Sequence, residues 1–404
     1  MKFWQSKIIV PQVIDKFAST LLVLIYGILF ARLAPSNVFG TYQVWVAWLS
    51  LLGVILEFGW PEYLFHKVSQ HCVKSVASLL LKIQLAVSVL AWISLLIISI
   101  VTRQNLIAAL SCILPLLSYS NSLVENASIR LNIAHFVARK TIISSIVEFL
   151  LKTTTLVVMK SSVGPQLALK GLSNNLKLIY FLKFFKADLL NKFLSKRKLI
   201  YAFKTLFKAY PFVLTNFAVI MYSKADIIML NYWKGPTSVS TYSITIYVIE
   251  SMMILPILLA KNLYLKQEPQ SNTLKYKVRS PVIIGLILTL LCSTVMPSLI
   301  ILFFGSKFTD SAKLLPYASL LLLPSTLGVF TGISINAQCH PVVNLTRAVI
   351  GMITNVYFNF ILIPGNGTTG AIASSVISMY VMVASGIFIS PKTRTITMHQ
   401  LIQI

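Results

Sequence analysis

Charged side chains in the middle of apolar runs are the residues with chemistry to explain. Asp15 and Lys16 sit side by side in the run 10–31, and further ionisable groups follow at Glu148, Lys152, Lys170, Lys177, Lys224, Asp226 and Arg347. Facing lipid at a helix centre, each would cost about 2.5 to 3.5 kcal/mol. Charges that expensive belong on a protein interior or a wet cavity, where bases receive anions and carboxylates take up protons or monovalent cations. Lys16, Lys152, Lys170, Lys177, Lys224 and Arg347 are the candidate contacts for an anionic cargo. Asp15, Glu148 and Asp226 are the candidates for coupling to an H⁺ or Na⁺ gradient.

Helical spacing supports this reading. Thr141, Ser145, Glu148, Lys152 and Thr155 step by four and three residues, so they form one stripe with a Glu-to-Lys pair at i,i+4. Gln166, Lys170, Asn174 and Lys177 form a second stripe, and Asn344, Arg347, Gly351, Thr354 and Asn355 a third. The opposite faces are apolar. The stripes are expected to turn toward a shared hydrated cavity, where bases outnumber carboxylates and attract anions.

The elements that carry these groups are membrane helices. Of the 404 residues, 56% are hydrophobic and only 11% charged, with a mean hydropathy of +0.81. A helix needs about 20 apolar residues to cross a hydrocarbon core of roughly 30 Å. Runs of that length lie near 10–31, 39–60, 76–101, 106–126, 141–159, 163–184, 208–232, 238–262, 281–304, 312–336, 342–364 and 368–390. The expected fold class is therefore all-α, a polytopic membrane protein of about twelve transmembrane helices in two six-helix lobes. The lobes are 1–185 and 208–390, joined by a basic cytoplasmic linker at 186–207 and followed by a cytoplasmic tail at 391–404.

The net charge of +25 would indicate nucleic acid in a soluble protein. Here the bases sort by side. Lys67, Lys74, Arg130, Arg139, Lys140 and the cluster Lys196, Arg197 and Lys198 fall in alternate loops, while the other loops hold few. By the positive-inside rule both termini are cytoplasmic, and no nucleic-acid partner is expected. Cys72, Cys112, Cys292 and Cys339 are scattered, and the histidines lie too far apart for a local metal site. No Walker-type, HExxH or GxSxG pattern occurs, so no enzyme is expected.

An internal repeat accompanies the two lobes. VPQVIDKFA at 10–18 returns as YPFVLTNFA at 210–218, Thr41-Tyr42 returns as Thr241-Tyr242, and Pro35 falls next to Pro236 in the same register. Six spans separate the copies, which makes the repeat parallel, with its axis along the membrane normal.

FARLAPSNVFGTYQVWVAWLSLLGVILEFGW at 30–60 resembles the first helix pair of the polysaccharide-exporter branch of the MOP superfamily, the Wzx-type O-antigen and capsule flippases. YSKADIIMLNYWKGPTSVSTYS at 222–243 is similar to that family's seventh helix, with its basic-x-Asp element and Gly-Pro turn, and 302–378 to its closing helices. Two departures are Lys224 where arginine is common and an extra residue between Pro35 and Gly40. The resemblance implies a flippase of the bacterial inner membrane, serving lipopolysaccharide O-antigen or capsule biosynthesis. Its cargo would be an undecaprenyl-diphosphate-linked oligosaccharide moved from the cytoplasmic to the periplasmic leaflet. The family's arginine at the end of the first helix maps onto Arg32, and its acidic residue in the seventh onto Asp226. Implied partners are the bilayer, a polysaccharide polymerase and a chain-length regulator; no cofactor is implied beyond the gradient. The alternatives are a MATE-type multidrug or small-molecule exporter and a membrane polysaccharide polymerase or ligase. Cationic drugs suit acidic cavities and this one is expected to be mostly basic, while the large outer loop and the acidic pair of a polymerase or ligase are not evident in this sequence.

Overall fold

The computed structural model describes residues 18–19, 21–67, 72–101, 106–131, 134–160, 162–184, 196–266, 281–338, 341–389, 391 and 393–395. Among them the chain is helical throughout, with no strand. Among the described residues five helices are long and apolar enough to cross a membrane, or up to seven if each of two bent pairs is one span.

The chain forms two compact units. The first comprises Met1–Val38 and Trp48–Asn216, the second Phe39–Ala47 and Phe217–Ile404. α1 is Leu21–Leu33, α2 is Ser36–Glu57 and α3 is Trp60–Lys67, all in the first unit except Phe39–Ala47 of α2. They are followed by α4 at Val73–Val101, α5 at Leu106–Ser111, α6 at Ile113–Ser118 and α7 at Asn121–Arg130. The unit closes with α8 at Ala134–Val158, α9 at Gly164–Ala168 and α10 at Leu172–Phe184. Pro35 precedes α2, where its missing N–H costs the helix nothing. Phe58 and Gly59, both at positive φ, stop α2 and turn the chain into α3. The core is Trp60, Tyr63 and Leu64 of α3 packed on Leu80 and Leu81 of α4, Leu123 and Val124 of α7 and Phe181 of α10.

Two long helical runs dominate the second unit, the first of them belonging to it from Phe217 onward. The run α11, Lys196–Met252, breaks at Gly235, whose φ of 80° and ψ of 175° no helix permits, so its arms 196–234 and 236–252 are separate helices. Pro236 opens the second arm, as proline does at a first helical position. After α12 at Ile254–Lys266 come two bent pairs. The pair α13 (Pro281–Thr294) and α14 (Met296–Phe304) bends by 53°. α15 (Thr309–Ser319) follows a short 3₁₀ turn and bends by 52° against α16, Leu322–Gln338. The final run α17, Pro341–Ile389, breaks at Gly367 (φ 56°) into arms 341–366 and 368–389. The sequence places spans 208–232 and 238–262, and 342–364 and 368–390, on either side of these two glycines, and the breaks fall in the intervals it leaves.

The segments of the repeat at 39–47 and 236–247 lie together in the second unit. The Phe39 and Tyr247 rings are 6.3 Å apart, and Gln43 Nε2 donates to Tyr247 Oη at 2.7 Å. Gly40 is the point of closest approach, since a Cβ there would fall 1.8 Å from the Pro236 carbonyl oxygen, a backbone atom that cannot swing aside. The first copy of the repeat's other half, at 10–17, lies outside the described residues.

Gly40→Ala is therefore expected to destabilise the protein by about 1–3 kcal/mol through overpacking. Gly332→Ala, where a Cβ meets nothing within 4 Å, should be neutral or stabilising by up to about 1 kcal/mol. Thermal unfolding of the two purified variants in detergent checks the contrast.

Candidate functional site

In the first unit the polar stripe of α8 meets the start of α10. Glu148 accepts from Lys152 Nζ at 2.5 Å, one turn along the same helix, and from the backbone N–H groups of Gly171 at 3.3 Å and Ser173 at 2.7 Å. Gly171, at φ 84°, turns the chain so that these N–H groups at the beginning of α10 point at the carboxylate. Lys152 stands 5.2 Å from the Tyr26 ring of α1. Tyr26 Oη donates to Gln166 Oε1 at 2.5 Å, and Gln166 reaches Thr155 at 3.4 Å. The Glu148 and Lys152 side chains are only 12% and 9% exposed, so this is a largely enclosed ion pair.

The second ion pair of this unit is looser. Lys177 of α10 lies 3.5 Å from Glu125 of α7, and Asn121 donates to the same carboxylate at 2.8 Å. Lys177 is almost buried, but the Glu125 side chain is 44% exposed. Glu57, at the end of α2, accepts from Ser122 at 2.8 Å. Lys170 is partly buried in the turn between α9 and α10, and Arg32 is exposed near the end of α1. Asp15 and Lys16 lie outside the described residues.

In the second unit Lys224 and Asp226 diverge, because two residues on a helix are about 200° apart. Lys224 faces across the turn at Gly235 to Glu250, 3.5 Å away, whose side chain is 53% exposed. Asp226 turns inward, is 1% exposed and meets three further helix arms. It accepts from Tyr242 of the 236–252 arm and Ser375 of the 368–389 arm, and from Asn359 Nδ2 of the 341–366 arm at 2.5 Å. Asn359 also donates to Asn355 at 2.9 Å, and its own Oδ1 has no hydrogen-bond partner. Among the described residues no base pairs with Asp226. A carboxylate enclosed by neutral donors is stable when it holds a proton or a small monovalent cation, for which its own oxygens, Asn359 Oδ1 and the Ser375 and Tyr242 hydroxyl oxygens are ligands at hand.

Arg347 is 3% exposed in the same unit and donates to Asn344 Oδ1 at 3.2 Å and Thr331 Oγ1 at 3.0 Å. Sequence reasoning missed Glu250, Tyr26, Tyr242, Asn359 and Ser375 as site residues. A signal for two of them was present, because residues at comparable distances from a Gly-Pro turn on antiparallel arms face each other, as Asp226 and Tyr242 do, and Lys224 and Glu250.

Three solved structures align with nearly the whole chain. A multidrug resistance MATE family transporter of the MOP superfamily, in an inward-facing conformation, is 14% identical with a TM-score of 0.67, covering 95% of each chain. The lipid II flippase MurJ in an inward closed conformation is 16% identical with a TM-score of 0.65, covering 96% of this chain and 90% of its own. This chain has the MOP-superfamily fold. A third MOP structure, a transporter from Pyrococcus furiosus, is 13% identical with a TM-score of 0.57, covering 98% of this chain and 96% of its own. It is described as having a binding pocket of reverse polarity, which suggests a different function for it. No protein-family model and no curated protein matches the sequence at a significant level. Within the MOP fold, side-chain charge is accordingly the property that separates one reading of this chain from another.

Glu148→Gln should cost about 3–5 kcal/mol, because it leaves Lys152 buried and unpaired. The double variant Glu148→Gln/Lys152→Met should recover most of that loss. Thermal unfolding of the two singles and the double closes the cycle, and additive losses would refute the pairing.

Proposed function

We propose that the chain is a lipid-linked oligosaccharide flippase of the Wzx type. It moves undecaprenyl-diphosphate-linked glycan units from the cytoplasmic to the periplasmic leaflet of a bacterial inner membrane, for O-antigen or capsule biosynthesis. In this reading twelve spans form two lobes, 1–185 and 208–390, with both termini cytoplasmic, and the lobes alternate access to the cargo. A polymerase and a chain-length regulator act on the glycan afterwards.

The observation that supports an anionic cargo is the state of the lysines. Lys177 and Lys224 sit in ion pairs of 3.5 Å whose carboxylates, Glu125 and Glu250, are about half exposed. Such pairs are worth little individually and open readily, so a diphosphate or an acidic sugar can take the glutamate's place. Lys16, Arg32 and Lys170 complete the cargo contacts, and Lys152 joins them only if Glu148 lets it go. Asp226 is the coupling group, exchanging H⁺ or Na⁺. An inside-negative membrane favours outward movement of the diphosphate by about 2.3 kcal/mol per charge per 100 mV, so the gradient is needed for the return.

A multidrug exporter is the second reading, favoured by the buried carboxylate. Asp226 is enclosed too tightly for an organic cation, however, and suits a single small ion. A polymerase or ligase would need an acidic pair for glycosyl transfer, and among the described residues the Asp226 cluster holds one carboxylate.

Deleting the gene should abolish surface glycan and accumulate complete lipid-linked units on the inner leaflet. Lys177→Gln and Lys224→Gln, expressed at normal level, should restore roughly a tenth or less of the glycan that the natural chain restores, the loss expected for one charged hydrogen bond. Unchanged glycan with altered drug susceptibility would overturn the reading in favour of the exporter.

A further inference from the structure

Two arms of the second unit end beside each other, the 196–234 arm at Gly235 and the 341–366 arm at Gly367. The stem of Lys234 runs past the second turn, since a Cβ on Gly367 would lie 3.8 Å from Lys234 Cγ and Cε. Next to the turns, the Trp233 ring meets Phe360 edge to face at 5.7 Å, and the Tyr232 ring meets Trp233 at the same distance. Tyr232 is 82% exposed. Ile353, Tyr357 and Phe360 continue the face away from the turn. Their spacing of four and three residues places them on one stripe of the helix, and each is 60–67% exposed.

This stripe lies on a run apolar enough to cross a membrane, so acyl chains cover it. From Phe360 to Ile353 is two turns, about 10 Å, which fits within the roughly 15 Å of one leaflet's hydrocarbon. At the turn the face becomes positive. Lys234 is exposed, and the described carboxylates of the second unit are engaged elsewhere: Asp226 is buried, Glu250 faces Lys224 and Asp310 faces Lys313. Among the described residues Lys234 has no acidic partner. The phenol and indole of Tyr232 and Trp233 stand between the charge and the apolar stripe, the order of groups that matches the boundary between headgroup and chain in a bilayer.

We propose that this face seats an anionic phospholipid such as phosphatidylglycerol, with its phosphate on Lys234, its ester region beside Tyr232 and Trp233, and one acyl chain along Phe360, Tyr357 and Ile353. A zwitterionic phospholipid offers the same chains, but its ammonium offsets the attraction of its phosphate for the base. A polyprenyl diphosphate carries more charge than one lysine answers, so the phospholipid is the better match. The seat uses none of the groups assigned to cargo or coupling. It requires only that these arms stand in a bilayer, and holds whether or not the chain moves glycans.

Thermal unfolding of the purified full chain in a neutral detergent, with phosphatidylglycerol or phosphatidylcholine added, tests the seat. Phosphatidylglycerol should raise Tm saturably by roughly 2–4 °C beyond phosphatidylcholine, the size expected for a ligand bound only by the native state and present well above its Kd. Lys234→Gln should lose that difference, while Lys313→Gln, an exposed lysine elsewhere in the unit, should keep it. Equal Tm values in the two lipids, a difference kept in Lys234→Gln, or a difference lost equally in Lys313→Gln would overturn the proposal. So would undecaprenyl diphosphate acting at a lower concentration than phosphatidylglycerol, which would give the face to the cargo's lipid. Fluorescence supplies the second measurement, in vesicles of phosphatidylglycerol brominated on its chains. Bromine near the ester should quench the emission that Trp233→Phe removes more strongly than bromine at the chain end, and equal quenching would contradict the placement.

Discussion

A charge placed among membrane helices must be answered within hydrogen-bond reach, because the surroundings supply no water to answer it. That constraint orders the interior of both units. Glu148 is answered three times over, by Lys152 and by two backbone N–H groups at the start of α10. The pair thereby ties α8 to α10 and sets the turn at Gly171. Asp226 is answered by hydroxyl and amide donors from three further helix arms, which binds the second unit around a single carboxylate. Removing the charge from either place would remove a reason for those helices to meet where they do.

The same rule separates tightly enclosed charges from accessible ones. Glu148 is held by three donors at once, the tightest of these carboxylate environments in the first unit. Lys177 and Lys224 are held at longer range by glutamates that reach open space, so a stronger anion can displace their partners. Among the described residues Asp226 meets no opposite charge and is held by neutral donors alone. The MOP fold accommodates multidrug transporters and a lipid II flippase alike, so the arrangement of these charges, and not the backbone, distinguishes one cargo from another.

Much of this was legible in the sequence because it follows from one helix at a time. Apolar runs located the helices, and the glycines at 235 and 367 mark breaks that the span boundaries anticipate. The i,i+4 spacing of Glu148 and Lys152 was enough to pair them, and Asn355 was already visible on a stripe with Arg347. Contacts between helices were harder to read. Glu125 with Lys177 and Glu250 with Lys224 require a register that no single helix carries, so the bases looked less compensated than they are. Tyr242, Asn359 and Ser375 are ordinary residues on their own helices and gain meaning only where four arms converge on Asp226.

The most direct measurement is translocation of an undecaprenyl-diphosphate-linked oligosaccharide in proteoliposomes that contain only the purified chain. The account predicts that cargo reaches the far leaflet, that an imposed H⁺ or Na⁺ gradient accelerates it, and that Asp226→Asn abolishes the acceleration without unfolding the protein. Failure of the natural chain to move cargo under either gradient, or full gradient dependence in Asp226→Asn, would contradict it.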